Sequence, residues 1–171
     1  MKRLLPGLLI LISITLLAQE KLVSDTTAVN SIDGIVKEVL KIISGADGKT
    51  RDWQAFRNLF LPTATFTILN NDSTFPEPVE TISLEDFISL MHDEYYQQGF
   101  IEYETGKVVD EYNGISHVFQ SFYAKDSENV EGRGVTSYQL VFYDNRWWIV
   151  NIMWTGDSNG VDVPEKYLEK N

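Results

Sequence analysis

Apolar residues at Val29, Ile32, Val36, Val39, Leu40 and Ile43 recur with the spacing of one stripe on a helix, about 3.6 residues per turn. Ser24 or Asp25 is placed to cap its start and Gly45 its end. A shorter helix follows, with Thr50 as the expected N-cap and Trp53, Phe56 and Phe60 on its buried face. Pro62 bars continuation past Leu61, because proline has no amide donor and its ring meets the preceding turn. The period then falls to two. Thr65-Phe66-Thr67-Ile68-Leu69 reads as a β-branched strand, ended by the turn-formers Asn70, Asn71 and Asp72.

A connection through Pro76 and Pro78 leads to a short strand at 79–82, after which Ser83 and Asp86 form a capping box. It opens a third helix with Leu84, Phe87, Leu90 or Met91, and Tyr95 facing inward, closed at Gly99. Strand patterns fill the rest. Residues 100–112 and 115–124 flank Asn113-Gly114, a strong hairpin dipeptide because both residues accept positive φ. Residues 134–143 and 146–155 flank Asp144-Asn145 in a second hairpin, the polar stretch 125–133 joins the two, and the tail from about residue 156 reads as an extended arm. Each helix has one apolar face and the sheet has one face to cover. The pattern therefore predicts an α+β fold: a cone-shaped, strongly curved antiparallel sheet wrapped around three helices, as a single domain over residues 20–171.

Residues 1–19 stand apart. Lys2 and Arg3 precede an apolar run from Leu8 to Ala18 that ends at Ala18-Gln19, the arrangement of a secretory signal peptide. Leu4 to Ala18, interrupted by Pro6 and Gly7, is shorter than the roughly 20 apolar residues that span a bilayer. Cleavage is expected, with the mature chain exported to a bacterial periplasm or the extracellular space and no membrane association afterwards. The 171 residues are 43% hydrophobic and 12% aromatic and include no cysteine, which excludes disulfides and thiolate metal sites and leaves the core to hold the fold. Net charge is −11, becoming −13 once Lys2 and Arg3 leave with the leader. Such a surface repels phosphate, and its basic residues are scattered singly, so no nucleic acid partner is expected.

The run from Trp53 to Pro62 into Ala64-Thr65-Phe66, the strand Gly114-Ile115-Ser116-His117-Val118-Phe119, and the segments Arg133-Gly134-Val135, Ser137-Tyr138-Gln139-Leu140-Val141, Arg146-Trp147 and Met153-Trp154 carry a likeness. Together they resemble the nuclear-transport-factor-2-like (NTF2-like) superfamily, above all its small bacterial SnoaL-like and ketosteroid-isomerase-related domains. The resemblance covers residues 29–155 and implies a cystatin-like α+β roll enclosing a pocket between sheet and helices. The superfamily includes isomerases, cyclases, dehydratases, epoxide hydrolases, non-catalytic binders and assembly domains, so fold alone does not choose among them. In ketosteroid isomerases a carboxylate base works with a tyrosine and a protonated aspartic acid. Laid on this chain those positions fall near Ile68, Val39 and Gln139, and no Asp or Glu lies between Ala64 and Leu69. Isomerisation by that route is not expected.

His117 is then the candidate catalytic residue, since imidazole titrates near neutral pH and this one lies on a core strand. His92, in Met91-His92-Asp93-Glu94, reads as a solvent-facing or interface residue. A divalent ion needs three or four converging ligands, and no such spacing appears, so neither metal nor cofactor is expected. Ser116, Ser121 and Ser137 lack the surroundings of a nucleophile, and Gly132-Arg133-Gly134 opens a strand rather than a phosphate-receiving helix. The aromatic surplus either packs as core or lines an apolar slot with a few polar handles. The expected ligand-binding set is Trp53, Phe56, Phe66, His117, Phe119, Ser137, Gln139 and Trp154. Glu102 and Glu104, alternating with Ile101 and Tyr103, read as solvated. Trp147 and Trp148 must point to opposite faces of their strand, and a sheet face exposing aromatics suits a homodimer.

These readings lead to an exported, non-catalytic cone domain that binds a small apolar or amphipathic molecule. One alternative is an isomerase, cyclase or hydrolase on a hydrophobic substrate, with His117 as base and Gln139 or Tyr138 polarising an oxygen. The other is an assembly domain with a filled core. A carboxyl group deep in the hollow counts against a passive carrier.

Overall fold

In the computed structural model, residues 27–72 and 76–168 are described. The expected leader at 1–19 and the expected caps Ser24 and Asp25 lie outside them. A 3₁₀ turn, Ala28–Asn30, leads into α1, Ile32–Ile43, whose cap is Ser31 accepting the Gly34 amide. α1 buries Ile35 and Ile42 as well as the stripe read from the sequence, so it is covered on more than one side. Helix α2 spans only Trp53–Arg57 and is capped by Asp52 rather than Thr50. It stops early because the chain is already extended from Phe60. Strand β1 runs Phe60–Leu69, and Pro62 is tolerated in it because the register with its neighbour slips between Phe60 and Thr65.

Strand β2, Val79–Ser83, hands over to α3, Leu84–Leu90, through the expected capping box of Ser83 and Asp86. The third helix is not continuous: the chain turns and restarts as α4, Glu94–Gln97, with Asp93 as its cap. The break turns Met91 inward, at 2% exposure, and leaves Leu90 and Tyr95 exposed, with Tyr96 against the core instead. Arg51 is buried at this joint. Its Nε donates to the Ile43 carbonyl at 2.8 Å and its Nη2 to the Tyr96 carbonyl at 2.9 Å, fastening the end of α1 to α4.

The remaining strands are β3, Phe100–Tyr112; β4, Ile115–Asp126; β5, Glu131–Tyr143; and β6, Arg146–Gly156. Both hairpins turn through two residues of positive φ, Asn113-Gly114 at 46° and 86° and Asp144-Asn145 at 53° and 59°. The β4–β5 connection is tighter than the polar stretch suggested, because Asp126 Oδ1 accepts the amides of Glu128 and Val130. Sheet order is β2-β1-β6-β5-β4-β3, and the sheet is open. It is mixed, not antiparallel throughout: β1 pairs with β6 in parallel. These two strands are separated in sequence by β2, α3, α4 and strands β3 to β5, so no hairpin dictates their direction.

The concave face packs on the helices through Phe60, Phe66, Val118, Tyr138 and Ile149, with Phe56 of α2 against them, none more than 2% exposed. Trp147 is buried there, while Trp148 on the convex side lies under the Arg146 guanidinium, 3.7 Å from the ring centre. The tail is an arm only in part. Its 3₁₀ turn Glu165–Tyr167 docks on the convex face, where the Tyr167 ring stacks on Phe119. No helix among the described residues is long and apolar enough to cross a membrane.

Candidate functional site

The helices do not fill the cone. A cavity of about 370 Å³ remains between the concave face and the helix layer. Val39 and Ile43 of α1 form one wall, Phe66 and Ile68 of β1 and Phe87 of α3 another, and Phe100, Phe122, Tyr138, Ile152 and Trp154 come from the strands. Phe66 and Phe87 are stacked, centroids 4.5 Å apart and planes 9° apart, with Trp154 edge-on to Phe87 at 6.1 Å. Polar groups are few: Thr136, Tyr96, Asn70, Glu102 and, exposed at the rim, Glu80.

Glu102 is where the structure departs most from the sequence reading. On β3, Glu102 faces Ala124 and Glu104 faces Phe122 across the β4 pairing, and Phe122 is buried. Both glutamates therefore point into the cone, while Ile101 and Tyr103 are 48% and 50% exposed on the outside. The expectation that the two carboxylates are solvated is wrong, because the strand turns its charged face inward. Glu104 is fully engaged: it accepts from Lys107 Nζ at 2.6 Å and from Gln120 Nε2 at 2.5 Å, and the buried Gln120 in turn accepts from the Tyr138 hydroxyl at 3.0 Å.

Glu102 is held only by its main chain. Its amide donates to Ser44 Oγ at 2.8 Å, and that hydroxyl lies 2.6 Å from the Glu102 carbonyl oxygen. Removal from water pushes the Glu102 carboxyl up from the ordinary 4.5 to about 7, and no cation or donor among the described residues offsets that burial. The hydroxyls of Tyr96 and Tyr138 are raised too, first by their own burial and then by the nearby negative charges, Glu102 among them. A carboxyl poised near neutrality can hold a proton, release it, or stand as the counter-charge to a cation.

The residues expected to form one site are dispersed. Phe56, Phe66 and Trp154 line the cavity. Trp53 does not line it; its ring is edge-on to Phe56 at 5.6 Å and beside the His92 ring at 5.3 Å. His117 and Gln139 are paired neighbours on the convex face, in a shallow cleft with Asp110 and Ile115. Phe119 and Ser137 lie on that face as well, in a cleft closed by Tyr167. Inward residues on β4 and β5 are Ser116, Val118, Gln120, Thr136, Tyr138 and Leu140, which sends their alternates outward. His117 thus cannot serve the cavity as its base, and Gln139 cannot polarise an oxygen within it. Of the three positions laid over the isomerase geometry, Val39 and Ile68 do line the cavity and Gln139 does not. Among the described residues no three His, Asp or Glu side chains converge as metal ligands.

An open, curved sheet over a short helix layer, hollow on its concave side, is the NTF2-like, or cystatin-like, α+β architecture, and the chain has that fold. No protein-family model and no curated protein matches the chain. Solved structures do. An NTF2-like protein of unknown function from Pseudomonas putida KT2440 superposes with a TM-score of 0.53 at 6% identity, covering 76% of this chain and 87% of that one. A protein of unknown function with a cystatin-like fold from Nostoc punctiforme PCC 73102 gives 0.53 at 9% identity, over 72% and 86%. The CaMKII hub of S. rosetta gives 0.52 at 13% identity, over 71% and 91%. At these identities the likeness is one of fold.

Proposed function

We propose that this chain is a small-molecule-binding domain whose cavity receives a compact, largely apolar molecule and presents to it the carboxyl of Glu102. The observation that carries the reading is an aromatic cavity of about 370 Å³ with a carboxyl group on its wall that no described side chain satisfies. That carboxyl moves the reading away from a passive apolar carrier, since a ligand without a complementary group leaves it dry and unpaired. An interior filled for assembly alone does not fit the opening. A second reading, proton transfer by Glu102 in the role expected of His117, is favoured by its titration near 7, where one group both takes and gives a proton. Export stays part of the proposal and is supported by the leader pattern of residues 1–19.

The test is binding of the neutral fluorophore N-phenyl-1-naphthylamine, followed by energy transfer from tryptophan, with Trp154 in the cavity wall. Saturable one-to-one binding that Ile68→Trp abolishes by filling the cavity is the expected result. Binding that is absent, or undiminished in Ile68→Trp, overturns the proposal. For the second reading, wash-out of deuterium α to the carbonyl of a bound aryl ketone should follow one ionisation near pH 7 and vanish in Glu102→Gln.

A further inference from the structure

The polar lining of the cavity is one-sided in charge. It carries Glu102 within and Glu80 at the rim, and no lysine, arginine or histidine among the described lining residues. The cations nearest to it are committed elsewhere. Lys107 lies 2.6 Å from Glu104 and 3.3 Å from Asp33, and Arg51 is spent on main-chain carbonyls. The remaining walls are largely ring faces, with Phe66, Phe87, Tyr96 and Trp154 among them.

We infer that the cavity takes a compact apolar cation, an ammonium or alkylammonium group on a hydrocarbon or aryl body, with Glu102 as its counter-charge and the aromatic walls as its packing surface. This rests on the small-molecule reading above and adds the charge of the ligand. An anion entering here meets two carboxyls and no compensating cation, which is strongly unfavourable away from water. A neutral hydrocarbon gains packing and leaves the carboxyl unpaired. An ammonium pairs with the carboxylate and rests against ring faces whose quadrupoles attract it. The net negative charge of the chain favours cations over anions in its neighbourhood. The titratable groups that share the cavity with Glu102 are Tyr96 of α4, Tyr138 of β5 and Glu80 of β2, with the ion-paired Glu104 next along its own strand. None is positive, so a bound cation favours the ionised form of Glu102 and displaces the fraction of a proton that it carries at a given pH.

Two probes of equal shape separate charge from packing: benzyltrimethylammonium and its uncharged carbon analogue, neopentylbenzene, titrated at about pH 8 with tryptophan fluorescence as readout. The ammonium should bind at least about tenfold more tightly than its analogue. Glu102→Gln should remove that advantage and leave the analogue's affinity within about threefold, which also reports that the variant's cavity is intact. In the native protein near pH 7, calorimetry in two buffers of different ionisation enthalpy should show about half a proton released per ammonium bound. Equal or tighter binding of the analogue to the native protein, or an ammonium preference that survives Glu102→Gln, overturns the inference and leaves the small-molecule reading standing. If both probes and the naphthylamine dye fail to bind, the two fall together.

Discussion

Tyr167 lies flat on Phe119, ring centroids 5.4 Å apart and planes 14° apart, and its carbonyl accepts a hydrogen bond from Ser121 Oγ at 2.6 Å. The contact covers one end of the convex sheet face. It leaves open the row Ile115, Val141 and Trp148, which face one another across β4, β5 and β6. A homodimer formed through this face would use the open row or displace the arm.

Deleting residues 161–171 removes the stacked ring and an acceptor for Ser121. Urea unfolding should report a loss of about 1–2 kcal/mol, and sedimentation velocity should show more self-association than in the full chain. An unchanged midpoint shows that the arm contributes nothing to stability. In the full-length protein, Ile115→Asp should abolish any dimer that uses the open row, with no change in unfolding midpoint beyond that of an exposed position.

Glu102 gives the fold a pH dependence of definite sign. Its carboxyl titrates higher folded, at about 7, than unfolded, at 4.5, so between those values the folded chain binds more protons. The contribution is fully present below 4.5 and is lost as the pH rises through about 7. Urea unfolding at about pH 5 and pH 8 should differ by about 2 kcal/mol in favour of the lower pH. Glu102→Gln should flatten the profile and be the more stable protein at the higher pH. A native profile that rises with pH shows that Glu102 is solvated after all.

Tyr138 is 1% exposed and donates to Gln120 Oε1, itself fully buried. Tyr138→Phe keeps the ring and strands that oxygen, so a loss of about 1–3 kcal/mol is expected in chemical denaturation. Gln120→Leu combined with Tyr138→Phe should cost less than the sum of the two changes.

His117→Ala should leave ligand binding in the cavity unaltered, because the imidazole is on the other side of the sheet. Fluorescence titration of the native and variant proteins checks this directly. A change of more than about threefold places the binding site on the convex face instead.

The elements were legible where local chemistry dictates them. Asn113-Gly114 and Ser83 with Asp86 announce a hairpin and a helix start through their own side chains and φ preferences, and both are found. The break at Met91–Asp93 was not legible, since Leu90, Met91 and Tyr95 suit one longer helix as well as two short ones. The site was harder for a physical reason. On β4 both faces alternate polar and apolar residues, Ser116, Val118 and Gln120 against His117, Phe119 and Ser121, so periodicity alone could not say which face closes over the helices. On β3 the pattern is inverted, with Ile101 and Tyr103 outside and Glu102 and Glu104 inside. Hydrophobic patterning assigns such a strand the wrong way round. The hairpin register alone would set Thr105 opposite Phe122; the irregularity between Glu104 and Gly106 shifts the pairing by one residue and sets Glu104 there instead.

The parallel seam between β1 and β6 ties Thr65 to Asn151 and Leu69 to Thr155. Nascent chain emerging from the ribosome can pair β1 with β2 early, but the other edge of β1 stays without a mate until β6 has been synthesised. Acquisition of the native state is a late, non-local event, slow relative to helical proteins of this size, and the intermediate that precedes it carries a bare strand edge for which chaperones compete.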